Sequence, residues 1–150
     1  MSVFMDTSAF LAILDADDTE HHRAKRTWEH LITHDEVMTC SNYVLVETFA
    51  LVQRRLGMEA IRAFQADVCP LLNVEWIDEA THRAGVAAVL AASRRRLSLV
   101  DCVSFEVMRH LGINRVFCFD PHFEEQGFEI VLVEEGNTTP AGPRVSGRGH

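Results

Sequence analysis

The sequence predicts a single α/β domain, an α/β/α sandwich around a central, mostly parallel sheet of four to five strands. Two observations lead there, and a third raises the question of function. Short β-rich runs alternate with helical stretches, the signature of a parallel sheet covered by helices. At 150 residues the chain is large enough to bury one core, and it has no repeat or linker to divide it. Four apolar runs are ended or broken by an acid, at Asp6, Glu47, Asp101 and Asp120.

In chain order, Val3 to Asp6 reads as the first strand, with a helix from about Ser8. Thr19 to about Thr33 is expected as a polar helix carrying Ala24, Trp28, Leu31 and Ile32 on one face. Glu36 to Cys40 is a second short strand. Asn42 to Leu56 is an amphipathic helix capped by Ser41 and stopped by Gly57. Met58 to Val68 continues as helix until Pro70, and Leu72 to Ile77 is a strand with Asp78 as the next cap. An alanine-rich helix then runs to about Arg96. Ser98 caps a helix over Leu99 to Leu111, with Val100, Val103, Val107 and Leu111 on one stripe, and Gly112 ends it. Arg115 to Phe119 and Phe128 to Val133 are the last strands. Residues 1–134 form the folded domain; residues 135–150, rich in Gly, Pro, Ser and Thr without periodicity, are expected as a disordered tail.

The composition is globular, 47% hydrophobic and 24% charged. The N-terminus has no basic segment before its apolar run, which argues against a signal peptide. No apolar stretch approaches the roughly 20 residues of a membrane span. A cytoplasmic protein without membrane contact is expected. Cys40, Cys69, Cys102 and Cys118 form no C-x-x-C pair and read as small buried hydrophobes. The net charge of −8 opposes nucleic-acid binding, where affinity comes from Lys and Arg on phosphates. Bound divalent cations would offset part of an acidic site. The triplet Arg94, Arg95 and Arg96 is a candidate substrate-binding patch or a solvated helix end.

A carboxylate set in apolar sequence ends partly buried, which is costly unless a charge or metal compensates it. No basic residue recurs beside these four. Asp6 and Asp120 fall at the carboxyl ends of predicted parallel strands, the edge where open α/β sheets bind ligands. Asp101 lies in a first helical turn, and Glu47 shares an apolar helix face with Val44 and Leu51. Singly, Asp6, Asp101 and Asp120 have local explanations as a cap, a dipole partner and a turn former; Glu47 has no capping role. Together the four acids form a candidate metal site, although each close pair repels by roughly 4 kcal/mol at an effective dielectric near 20. Oxygen-only ligation selects Mg²⁺ or Mn²⁺, which suits hydrolysis of a phosphodiester by water. His21, His22, His30 and His34 read as a solvated face. His122, two residues after Asp120, is a candidate substrate-phosphate contact or a rim turn residue.

Three segments carry a resemblance. Phe4-Met5-Asp6-Thr7-Ser8-Ala9 is similar to the first-strand motif of the PIN-domain family of metal-dependent ribonucleases. Leu97-Ser98-Leu99-Val100-Asp101-Cys102-Val103-Ser104-Phe105 is the most specific match. Phe117-Cys118-Phe119-Asp120-Pro121-His122-Phe123, followed by Gly127-Phe128, resembles the closing motif. The resemblance covers about residues 2 to 133. It implies that Asp6, Glu47, Asp101 and Asp120 are catalytic and bind the metal, with Ser8 and Ser104 as supporting hydroxyls. The chain looks most similar to the VapC-type toxins of toxin–antitoxin pairs, which implies an RNA substrate, a homodimer and a cognate antitoxin. Cys118 stands where the family often has threonine.

Other readings are weaker. A haloacid-dehalogenase-like phosphatase needs a second Asp where Ser8 stands. A receiver domain needs paired acids near its start and a late lysine, and neither is present. A ribonuclease of RNA processing or turnover without an antitoxin, and a non-catalytic binding module with a retained metal site, are the alternatives left open.

Overall fold

The computed structural model describes residues 1–135. The expected disordered tail therefore lies, apart from Glu135, outside the described residues. Five strands form one parallel sheet in the order β3-β2-β1-β4-β5: β1 Ser2–Met5, β2 Val37–Ser41, β3 Leu72–Glu75, β4 Arg115–Phe117 and β5 Glu129–Ile130. The central strand is covered on both faces, and Val3, Phe4 and Met5 are fully buried. Phe4 pairs with Thr39 on one side and Val116 on the other. The order reverses between β1 and β4, so a crevice opens there beyond the strands' carboxyl ends.

The helices are α1 Thr7–Leu14, α2 His21–Thr33, α3 Asn42–Leu56, α4 Met58–Ala63, α5 Glu79–Ala92, α6 Leu99–Leu111 and α7 His122–Glu125. Oxygen caps start four of them: Asp6 for α1, Ser41 for α3, Asp78 for α5 and Ser98 for α6. Gly112, at φ 68°, supplies the left-handed residue that closes α6.

Several elements depart from the sequence expectation, and tertiary contacts explain most of them. The expected strand to Phe119 stops at Phe117, because the Phe119 amide donates to Ser8 Oγ (3.0 Å). The expected strand Phe128 to Val133 pairs only over Glu129–Ile130. Beyond it the Val133 amide donates to Thr27 Oγ1 (3.0 Å), and Glu134 and Glu135 pair with Arg23 and Arg26, which draws the chain onto α2. The alanine-rich helix ends at Ala92, where Ser93 turns left-handed at φ 49°, so Arg94 to Arg96 lie in a turn. After α4 the chain makes one wide π turn over Phe64–Val68, and a 3-10 turn carries it past Pro70. That wide turn sets Phe64 against Phe10 and Phe49, at 5.1 and 5.3 Å between ring centroids. On α2 the buried face is Ala24, Thr27 and Leu31, whereas the expected member Ile32 is exposed. On α6, Leu111 is likewise exposed, and burial extends round the helix from Asp101 to Phe105.

The contact of α5 with α6 leaves no room at Gly85. A Cβ there would stand 2.5 Å from Val103 Cγ2, the side chain of a fully buried, β-branched residue with few rotamers to move into. Gly85→Ala is therefore expected to lower stability by about 1–3 kcal/mol in urea unfolding. A neutral or stabilising change would show that α5 slides freely on α6.

Candidate active site

All four sequence-predicted acids face one cleft, at the crevice between the ends of β1 and β4. Asp6 follows β1, and its amide donates to the Phe117 carbonyl of β4 (3.1 Å), which ties it to the switch point. As the cap of α1, its Oδ2 accepts from the Ser8 amide (3.2 Å) and the Ser8 hydroxyl (2.6 Å). Asp101 sits at the third position of α6 in a reciprocal box: its Oδ2 accepts from the Ser98 amide (3.0 Å), and its amide donates to Ser98 Oγ (3.1 Å). Asp120 follows β4, and its Oδ1 accepts from the His122 amide (2.9 Å). Glu47 lies half-buried on α3, one residue before Thr48. The fully buried Thr48 hydroxyl donates to the Val44 carbonyl (2.7 Å) and lies 3.2 Å from Thr7 Oγ1, which bolts α3 to the start of α1.

Among the described residues, none of these acids forms an ion pair with Lys or Arg. The electrostatic consequence is large. Burial pushes the Asp6 carboxyl up to about 7, and the charges of Asp101 and Asp120 add to it against the Ser8 hydrogen bonds. Burial first, then the Asp101 charge, raises Glu47. Burial also raises Asp101, opposed by the Ser98 amide. Uncompensated acids on one cleft are what an oxygen-seeking cation would relieve. Among the described residues, Asp101, Asp120 and His122 each offer a ligand atom, and these atoms all lie within 4.8 Å of one another. Asp6 and Glu47 line the same cleft but stand outside that group.

Other predicted residues separate. Ser8 joins the two strand ends, donating to Asp6 and accepting from Phe119. Ser104 is fully buried and donates to the Val100 carbonyl (2.8 Å) within its own helix; it does not line the cleft. Of the arginine triplet, Arg96 lines the cleft, Arg94 pairs with Glu125 (3.0 Å) and Arg95 is exposed. His122 was expected as a phosphate contact or on a rim; it lies buried at the start of α7, 8% exposed. Cys118 is also buried, with its thiol on the Asp120 carbonyl (3.5 Å), and burial pushes that thiol far up. Sequence reasoning missed the Ser98–Asp101 box, although S-x-x-D before an apolar run was readable. It also missed the Thr7–Thr48 bolt, which has no sequence signal.

Ser8→Ala would leave the Phe119 amide without its acceptor and Asp6 without its closest donor. The expected results are a loss of about 1–3 kcal/mol in urea unfolding and a roughly 10- to 100-fold weaker divalent-cation affinity by calorimetry. An unchanged cation affinity would mean that Ser8 serves only the fold.

Comparison with known proteins gives a consistent picture. The PIN domain family matches residues 3–129. The 23S rRNA-specific endonuclease VapC20 of Mycobacterium tuberculosis is 34% identical over 133 residues, covering 88% of this chain and 99% of that protein. The crystal structure of the same organism's VapC20, described as a sarcin–ricin loop cleaving toxin, superposes with a TM-score of 0.76 at 32% identity. That match covers 87% of this chain and 99% of the other. The crystal structure of FitAcB from Neisseria gonorrhoeae shares the fold, with a TM-score of 0.62 at 16% identity over 87% of this chain and 96% of that one.

Proposed function

The chain belongs to the PIN domain family, and on that premise we propose that it is a divalent-cation-dependent endoribonuclease, the toxin of a type II toxin–antitoxin pair. The observation that carries the reading is the cleft lined by Asp6, Glu47, Asp101 and Asp120, none of which is ion-paired with Lys or Arg among the described residues. Mg²⁺ or Mn²⁺ fits those oxygens. When bound between these acids, such a cation would polarise the scissile phosphate and acidify an attacking water.

The protein's own groups hold and orient. Ser8 locks one oxygen of Asp6, and the Ser98 amide locks one oxygen of Asp101, so the second oxygen of each is left for the cleft. Helix α3, bolted at Thr48, fixes the height of Glu47. Arg96 is the cationic side chain that lines the acidic cleft, where it can meet a phosphate oxygen. The relative's activity makes 23S ribosomal RNA the first substrate to try. The reading places the protein in the cytoplasm, as a homodimer silenced by an antitoxin. Val46, Trp76 and Leu90, each more than two-thirds exposed, supply apolar surface for such partners.

The test is cleavage of structured RNA by wild type and by Asp101→Asn, with Mg²⁺ or Mn²⁺ and with EDTA. Wild-type cleavage that EDTA abolishes, and an Asp101→Asn rate lower by about 100-fold or more, are expected. Equal, EDTA-resistant cleavage by both proteins would sink the mechanism. Co-purification with the product of a short neighbouring reading frame would support the toxin assignment.

A further inference from the structure

The cation site proposed above has a neighbour that is not an acid. Resting on that reading, we propose that His122 is a nitrogen ligand of the bound cation beside Asp101 and Asp120, and that it tilts the site from Mg²⁺ towards Mn²⁺. Its Nε2 lies 3.8 Å from Asp120 Oδ1. That separation is too long for a hydrogen bond. It falls inside the roughly 3–4.3 Å that two ligands of one ion span at bonds of about 2.0–2.2 Å. One ligand atom each from Asp101, Asp120 and His122 lie within 4.8 Å of one another.

The other ring nitrogen faces a carboxylate of its own helix. His122 Nδ1 is 3.4 Å from Glu125 Oε2, and Arg94 holds that carboxylate at 3.0 Å. A carboxylate behind an imidazole sets the tautomer, with N–H towards the carboxylate and the Nε2 lone pair towards the ion; metal-binding histidines are commonly supported so. The ring is held where it stands. Its neighbour Phe123 is fully buried and packs edge-on against Phe105 of α6 at 5.0 Å between centroids, and the His122 amide is bound to Asp120. The pinning that gives α7 its position thus aims one imidazole at two carboxylates. An imidazole nitrogen suits first-row transition ions, whereas Mg²⁺ prefers all-oxygen ligation.

The experiment loads the full chain with Mn²⁺ and records pulsed EPR at pH 8. A directly bound ¹⁴N coupling is expected, replaced by a ¹⁵N coupling when histidine is ¹⁵N-labelled and lost in His122→Gln. By calorimetry, His122→Gln should bind Mn²⁺ at least about tenfold more weakly while Mg²⁺ affinity changes by about twofold or less. Glu125→Gln should keep the coupling and bind Mn²⁺ more weakly than wild type. Wild-type protein with Mn²⁺ bound and no histidine nitrogen coupling overturns the proposal, and that measurement needs no variant to fold. Equal losses of Mg²⁺ and Mn²⁺ affinity in His122→Gln also overturn it, since they mark a merely structural role. A nitrogen coupling without RNA cleavage would remove the nuclease reading and leave this one standing.

Discussion

Asp6→Asn is expected to do two opposite things: abolish RNA cleavage and stabilise the metal-free protein above neutral pH. The physical ground is the raised carboxyl. With its folded value near 7 against an ordinary 3.8, Asp6 keeps a proton in the folded chain that the unfolded chain has released. Its contribution is therefore favourable below about pH 4 and declines as pH rises through the window to 7. At 1.36 kcal/mol per unit, the whole window is worth about 4 kcal/mol. The group is 4% exposed, so solvent relieves little of that. Asparagine stays neutral at every pH and keeps an oxygen for the Ser8 amide and hydroxyl. In EDTA at pH 8 the variant should melt roughly 5–15 °C above wild type, with the gap closing towards pH 4. Cleavage should fall by about 100-fold or more because an ion-binding oxygen is lost. A variant less stable than wild type at pH 8 would show that another group neutralises Asp6 without a cation.

The second large effect is stabilisation by the cation, and it should depend on pH. An ion that binds the folded chain alone adds about 2.7 kcal/mol at a hundred times its Kd. Its charge offsets the burial, and after it the mutual repulsion, that raise Asp6, Glu47 and Asp101. Protons compete for the same oxygens, so affinity should strengthen as pH rises through about 7 and weaken below it. Differential scanning of wild type with Mn²⁺ should show a rise of roughly 10 °C at pH 8 and only a small one at pH 5. Asp101→Asn should flatten both. A rise equal at the two pH values would mean that the ion binds away from these acids.

Some of this was readable from residues alone. Asp6, Glu47, Asp101 and Asp120 stand out because an acid in an apolar run has few innocent reasons to be there. The strand–helix alternation and the caps at Ser41, Asp78 and Ser98 place the elements to within a few residues. The misjudged ends of the last two strands share one cause. The strand after Arg115 is cut short by Ser8, which lies more than a hundred residues away and takes the Phe119 amide. The last strand is drawn off by Thr27, Arg23 and Arg26 on α2. Periodicity reads neighbours in the chain, and these partners are distant in it. The same limit hid the burial of His122, whose place follows from Phe123 packing under α6.

The sequence by itself determined the α/β class, its single domain and the four acids, because each follows from local pattern: alternation, capping chemistry and a charge where burial is costly. Tertiary structure decided the rest. The parallel sheet's reversal between β1 and β4 brings Asp6 and Asp120 to one crevice. The early end of α5 at Ser93 frees Arg96 to line it, and α7 turns a histidine read as a phosphate contact or a rim residue into a buried neighbour of Asp101 and Asp120. A carboxylate's identity is written in one residue, but its electrostatic state depends on what stands within a few ångströms. Only the folded chain sets those distances.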